Sequence, residues 1–204
     1  MLTTSESQES QQHQLGREGT KLAHRERHRS LSPEASVTHF MVDALAEAKE
    51  ALKRGEVPVG CLFIRNGTII ASGGNEVNDT KNATRHAEMI CIDKILQTAK
   101  DEDEDFRSVF PEISVVVTVE PCIMCLSALN QLKVREIIFG CVNDRFGGST
   151  VLDVTQLLPP EERTPCKGGV RADEAMELLK TFYSGENPSA PVPKTRKTNK
   201  LSSK

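Results

Sequence analysis

Residues 113–125 read Ile113-Ser114-Val115-Val116-Val117-Thr118-Val119-Glu120-Pro121-Cys122-Ile123-Met124-Cys125. The first seven are mostly β-branched and apolar. Such a run marks a strand buried on both faces, and therefore a sheet covered on two sides. Pro121 suits the opening of a helix, where its missing N–H costs nothing. A helix begun there puts Cys122 and Cys125 about one turn apart on one face. Its positive N-terminal potential also favours thiolate over thiol.

Upstream lies His86-Ala87-Glu88. The imidazole of His86 and the sulfurs of Cys122 and Cys125 are three ligands of the type zinc prefers. Three protein ligands leave the fourth tetrahedral position to water, as a catalytic zinc requires. Glu88 stands two residues past the candidate ligand His86. In this arrangement it is a candidate proton shuttle rather than a ligand, and the combination resembles the signature of zinc nucleobase deaminases. Cys-x-x-Cys alone also suits a redox pair or half of a closed structural zinc site. The redox pair fits poorly, because Cys122 follows Pro and the chain has no Trp. A closed site could recruit Cys61, Cys91 or Cys141 as fourth ligand, but it leaves Glu88 without a role.

Periodicity extends outward from these motifs. Val37, Phe40, Met41, Ala44, Leu45, Ala48 and Leu52 recur at helical spacing, with an end near Gly55. Val57–Ile64 and Thr68–Gly73 are apolar runs joined across Asn66-Gly67, the strongest short hairpin signal. A polar loop over 75–84 precedes a helix over about 85–99. Residues 101–105 form a solvated connection. A helix over about 122–132, a strand over 134–141 and a last helix over about 172–183 follow the central strand. The order predicts an α/β fold, with helices covering a mixed sheet. Asn75, after Gly73-Gly74, can present both a donor and an acceptor to a base edge, although an ordinary turn Asn fits equally well. Asp144, Arg145 and Phe146 offer charge and a stacking ring to a nucleotide, while core packing would serve Phe146 as well.

Composition bounds the rest. The 204 residues fit one domain with tails and need no disulfide staples. Residues 1–36 are rich in Ser, Gln, Glu and Arg and read as a disordered N-terminal extension. Residues 37–186 form the domain and carry about eight net negative charges. Residues 187–204 hold Lys194, Arg196, Lys197, Lys200 and Lys204 together with three prolines and no acid, and read as a basic flexible C-terminal tail. A basic tail on an acidic body suits a polyanionic partner, and a solubilising tail is the simpler account. No apolar run approaches the roughly 18 residues of a membrane span. The polar start and six cysteines point to a reducing compartment, nucleus or cytoplasm.

Longer blocks carry a resemblance. Glu56-Val57-Pro58-Val59-Gly60, Gly74-Asn75-Glu76-Val77-Asn78, Thr80 through Glu88 and Val119 through Cys125 closely resemble the tRNA-specific adenosine deaminases, as does the stretch from Arg171 to Tyr183. The resemblance implies a cytidine-deaminase-like three-layer α/β/α sandwich around a mixed five-stranded sheet. It implies zinc held by His86, Cys122 and Cys125, Glu88 as shuttle, and deamination of adenosine to inosine at the wobble position of the tRNA anticodon stem-loop. It also implies that Asn75 contacts the flipped base, that the backbone at Ala87 and the side chain of Val59 line the base pocket, and that the basic tail touches RNA. A heterodimer with a related, catalytically inactive subunit is expected. The alternatives are a deaminase of free cytosine, cytidine or guanine, and a non-catalytic zinc-stabilised RNA-binding subunit.

Overall fold

The computed structural model describes residues 33–185. Its elements are α1 (Pro33–Lys53), β1 (Gly60–Arg65), β2 (Thr68–Gly74), α2 (Val77–Thr80), α3 (Ala87–Asp101), α4 (Phe106–Val109), β3 (Ile113–Val119), α5 (Ile123–Gln131), β4 (Glu136–Cys141), β5 (Cys166–Lys167) and α6 (Ala172–Ser184). Residues 1–32, and the basic cluster Lys194, Arg196, Lys197 and Lys200, lie outside the described residues, while α1 starts at Pro33, inside the stretch read as extension, because Pro suits a helix opening.

The hairpin forms where Asn66-Gly67 predicts it. Both residues have positive φ, 53° and 74°, the requirement of a tight turn whose twist matches its strands. The first strand begins at Gly60 rather than Val57. Pro58 has no N–H for a ladder, and the N–H of Val59 folds back to the Val57 carbonyl at 2.8 Å. The acidic run after α3 is a solvated turn, as expected. It also has structural work: Asp105 caps α4 by accepting from the Arg107 N–H at 3.0 Å. Glu104 pairs with Arg65 at 3.0 Å.

The sheet has the order β2-β1-β3-β4-β5. β1 is antiparallel to β2 and to β3, while β3, β4 and β5 run parallel. Two core layers follow from strand alternation, since successive side chains point to opposite faces. Phe63, Val115, Val117, Ile137 and Phe139 face α3 and α5. Leu62, Val116 and Ile138 face α1 and α6, meeting Phe40, Leu45 and Ala175. β3 is buried at all seven positions. The result is the expected three-layer α/β/α sandwich around a mixed five-stranded sheet. Phe63 and Phe110 meet edge to face at 6.4 Å, a geometry that adds about 0.5–1.5 kcal/mol to their burial. Among the described residues no helix is long and apolar enough to cross a membrane.

Gly60 sets how closely α1 lies on the sheet. A Cβ there would fall inside the van der Waals envelope of the Ala44 carbonyl oxygen and the Ala48 nitrogen. Gly60→Ala must push the helix outward, and we expect a loss of about 1–3 kcal/mol in unfolding free energy, read by urea denaturation. An unchanged midpoint would mean that α1 withdraws from the sheet without cost.

Candidate metal and catalytic site

Strand direction assembles the site. β2 and β3 both oppose β1, so they run the same way, and β4 runs with them. The carboxyl ends of these three strands and the start of β1 therefore share one edge. Val59, Asn75, Cys122 and the loop after Cys141 all emerge there. Crevices beyond the carboxyl ends of strands are the usual binding places of α/β sheets.

Two helix starts face each other across this edge. His86 is the N-cap of α3, and Cys122 is the N-cap of α5. Neither side chain caps its own helix, which leaves imidazole and sulfur aimed at one another. His86 Nδ1 lies 3.5 Å from Cys122 Sγ and 3.6 Å from Cys125 Sγ. The three ligand atoms lie within 4.8 Å of one another. Zn–N and Zn–S bonds of ordinary length at a tetrahedral angle separate N and S by about 3.6 Å, so the donor set fits zinc in both chemistry and spacing. Among the described residues, no fourth ligand joins this cluster. Cys61, Cys91 and Cys141 are buried in the core instead, so none of these three closes the site as a fourth ligand. Burial pushes the Cys141 thiol up to about 11, as expected of an inert core cysteine.

The local electrostatics favour a bound cation. The hydrogen bond from Cys125 is the main influence on Cys122, which is held down to about 4 against the cost of burial, with His86 adding to the effect. Cys125 is pushed up, first by that same hydrogen bond and then by burial. His86 is raised, first by its hydrogen bond to Cys122. The pair and the imidazole thus compete for few protons, which a divalent ion replaces on binding.

Glu88 occupies the first turn of α3, 3% exposed, and lines the cavity beside His86. Burial pushes its carboxyl up to about 7. A carboxyl poised there can both take and return a proton near neutral pH.

The cavity has a volume of about 620 Å³, within the range that holds a nucleoside-sized ligand. Asn75 sits in its wall at 5% exposure. Its Oδ1 accepts from the Ala87 N–H at 2.9 Å, which fixes the amide and leaves Nδ2 as the remaining donor. Sequence left Asn75 between turn and reader, and the structure gives it a buried anchor in the cavity wall. Ala87 enters the site only through this bond. It is fully buried, does not itself line the cavity, and spends its N–H on Asn75. Val59 lines the cavity as expected.

Asp144, Arg145 and Phe146 form a lip over the cavity. Phe146 is 62% exposed, so it is a rim residue and not part of the core. Sequence reasoning missed the opposite wall, where α6 contributes Met176, Leu179, Lys180 and Tyr183. Their i, i+3, i+4, i+7 spacing was legible, but a stripe of that kind reads as core-facing. The lysine and the chain's single tyrosine in that stripe were the available signal. Glu120 was also missed. Burial opposes its charge, yet hydrogen bonds from Ser149, Asn143 and Thr150 outweigh that and hold its carboxyl below the usual range.

Residues 35–141 match the family described as the cytidine and deoxycytidylate deaminase zinc-binding region. The chain is similar to tRNA-specific adenosine deaminase 2 of Danio rerio, 50% identical over 167 residues that cover 80% of this chain and 78% of that one. It is also similar to the tRNA-specific adenosine deaminase subunit tad2 of Schizosaccharomyces pombe, 41% identical over 163 residues, which cover 79% of this chain and 41% of that one. A solved structure from work on A-to-I editing by tRNA:A34 deaminases superposes with a TM-score of 0.60 at 30% identity, covering 70% of this chain and 99% of that one.

Proposed function

This chain belongs to the cytidine and deoxycytidylate deaminase family, and we propose that it is the catalytic subunit of an enzyme that hydrolyses adenosine to inosine at the wobble position of tRNA anticodons. The observation that carries this reading is the three-ligand His86, Cys122, Cys125 cluster with the buried Glu88 beside it in one cavity. The named activity of the relatives supplies the substrate.

His86, Cys122 and Cys125 would hold zinc, which would lower the pKa of water to about 7 and so supply a hydroxide nucleophile at neutral pH. Glu88 takes the proton of the attacking water and delivers it to the adjacent ring nitrogen. It then takes the proton of the newly added hydroxyl and passes it to the amine as the C–N bond breaks, so that adenosine and water become inosine and ammonia. Asn75 Nδ2 donates to the base and orients it. The apolar walls at Val59 and Val119 exclude competing water. The partner is a related subunit without the catalytic glutamate, and the pair acts on the anticodon stem-loop. The six thiols, all free, suit the reducing nucleus and cytoplasm.

The test is inosine mapping of bulk tRNA incubated with this chain, alone and with its partner subunit. Inosine confined to the wobble position, and rising with the partner, is expected. Efficient deamination of free cytosine, cytidine or guanine without tRNA inosine would overturn the substrate. Asn75→Asp keeps the acceptor for Ala87 and replaces the donor that faces the base. We expect kcat/KM to fall about 10- to 100-fold, the worth of one buried hydrogen bond, with zinc retained. Unchanged kinetics would reduce Asn75 to a turn residue.

A further inference from the structure

We propose that Glu120 is a positioning residue that sets the width of the substrate cavity by latching the lip loop to the segment that carries Cys122. This rests on the deaminase reading above.

Glu120 is 1% exposed. Its carboxylate accepts four hydrogen bonds, all from one loop. Oε2 takes the Asn143 N–H at 3.0 Å and the Thr150 hydroxyl at 2.8 Å. Oε1 takes the Ser149 N–H at 3.0 Å and the Ser149 hydroxyl at 2.6 Å. The carboxylate thus ties both ends of the loop, before and after its tip. Between those ends stand Asp144, Arg145 and Phe146, the residues that overhang the cavity. A carboxylate buried with its oxygens fully engaged is rigid, because releasing any donor leaves charge unsolvated.

The backbone completes the latch. The Ile123 N–H donates to the Phe146 carbonyl at 3.0 Å, and the Gly148 N–H donates to the Pro121 carbonyl at 3.0 Å. Cys122 and Gly147 form an antiparallel bridge. Gly147 has to be glycine here, since a Cβ would lie 2.5 Å from Glu120 Oε2. The Asn143 side chain carries the anchoring to the tip, accepting from the Phe146 N–H at 3.1 Å. Floor and lip are thereby one unit, and the gap between Phe146 and Glu88 is fixed by a residue two positions before Cys122.

Glu120→Gln preserves volume, but its NH2 meets loop donors where an acceptor stood. On tRNA with adenosine at the wobble position, the assembled enzyme is expected to show KM raised about tenfold and kcat within about twofold, with zinc still stoichiometric. Hydrogen–deuterium exchange of residues 143–150 is expected to quicken in the same protein. Thr150→Val removes one donor from the lip side alone, and a KM increase of about two- to threefold is expected. If Glu120→Gln does not fold, Thr150→Val decides by the same two readouts. Zinc loss, a fall in kcat at constant KM, or unchanged exchange would overturn the latch. A wild-type enzyme that forms no tRNA inosine would overturn the substrate reading instead, with the exchange measurement still judging the latch.

Discussion

Glu88→Gln is expected to lower turnover on tRNA adenosine by about 10²- to 10⁴-fold, the usual worth of a positioned general acid–base group, while zinc content stays at one per chain. The separation rests on geometry. Glu88 lies outside the group of ligand atoms, so an amide in its place removes proton transfer without removing a ligand. Gln fills the same volume, and the site is 3% exposed, so no cavity forms. Burial already disfavours the charged carboxylate, as its rise to about 7 records, and a neutral amide therefore costs the fold little. Single-turnover inosine formation, zinc by elemental mass spectrometry and the thermal midpoint should be read on one preparation. Zinc lost together with activity would make Glu88 a structural residue and remove the basis for calling the centre catalytic.

Cys125→Ala is expected to do the opposite, abolishing zinc and activity together. Cys125 is fully buried in the first turn of α5, so no water-exposed group can replace it. Two remaining ligands hold zinc far more weakly than three, and zinc binding is linked to folding free energy. The midpoint should fall, but the chain should still fold. Both core layers are built from the sheet and its helices, and none of the three ligands belongs to either layer. Cys166→Ala is the control: that thiol is exposed at the far strand and should leave zinc and turnover intact. Full zinc occupancy in Cys125→Ala would remove it from the ligand set.

Local patterns carried much of this protein. Asn66-Gly67 specified its turn because few other residues take positive φ at both positions. The β-branched run over 113–119 specified a strand buried on both faces. β5 escaped notice because two residues, Cys166 and Lys167, are too few to show alternation, and only pairing with β4 makes them a strand. The four-residue turn α2 was hidden for the same reason. Glu120 read as a residue beside a motif, since nothing local reveals that its partners lie at Asn143, Ser149 and Thr150.

The amino-acid string alone determined which atoms could bind a metal, which carboxyl could move protons, and which stretches would be helix or strand. Those properties depend on side-chain chemistry and on contacts between near neighbours. The folded chain decided that His86 meets sulfurs 36 and 39 residues away, that α6 walls the cavity, and that the lip hangs from a buried acid. These are contacts between distant segments, fixed by strand direction and by the packing of helices on two faces of a sheet.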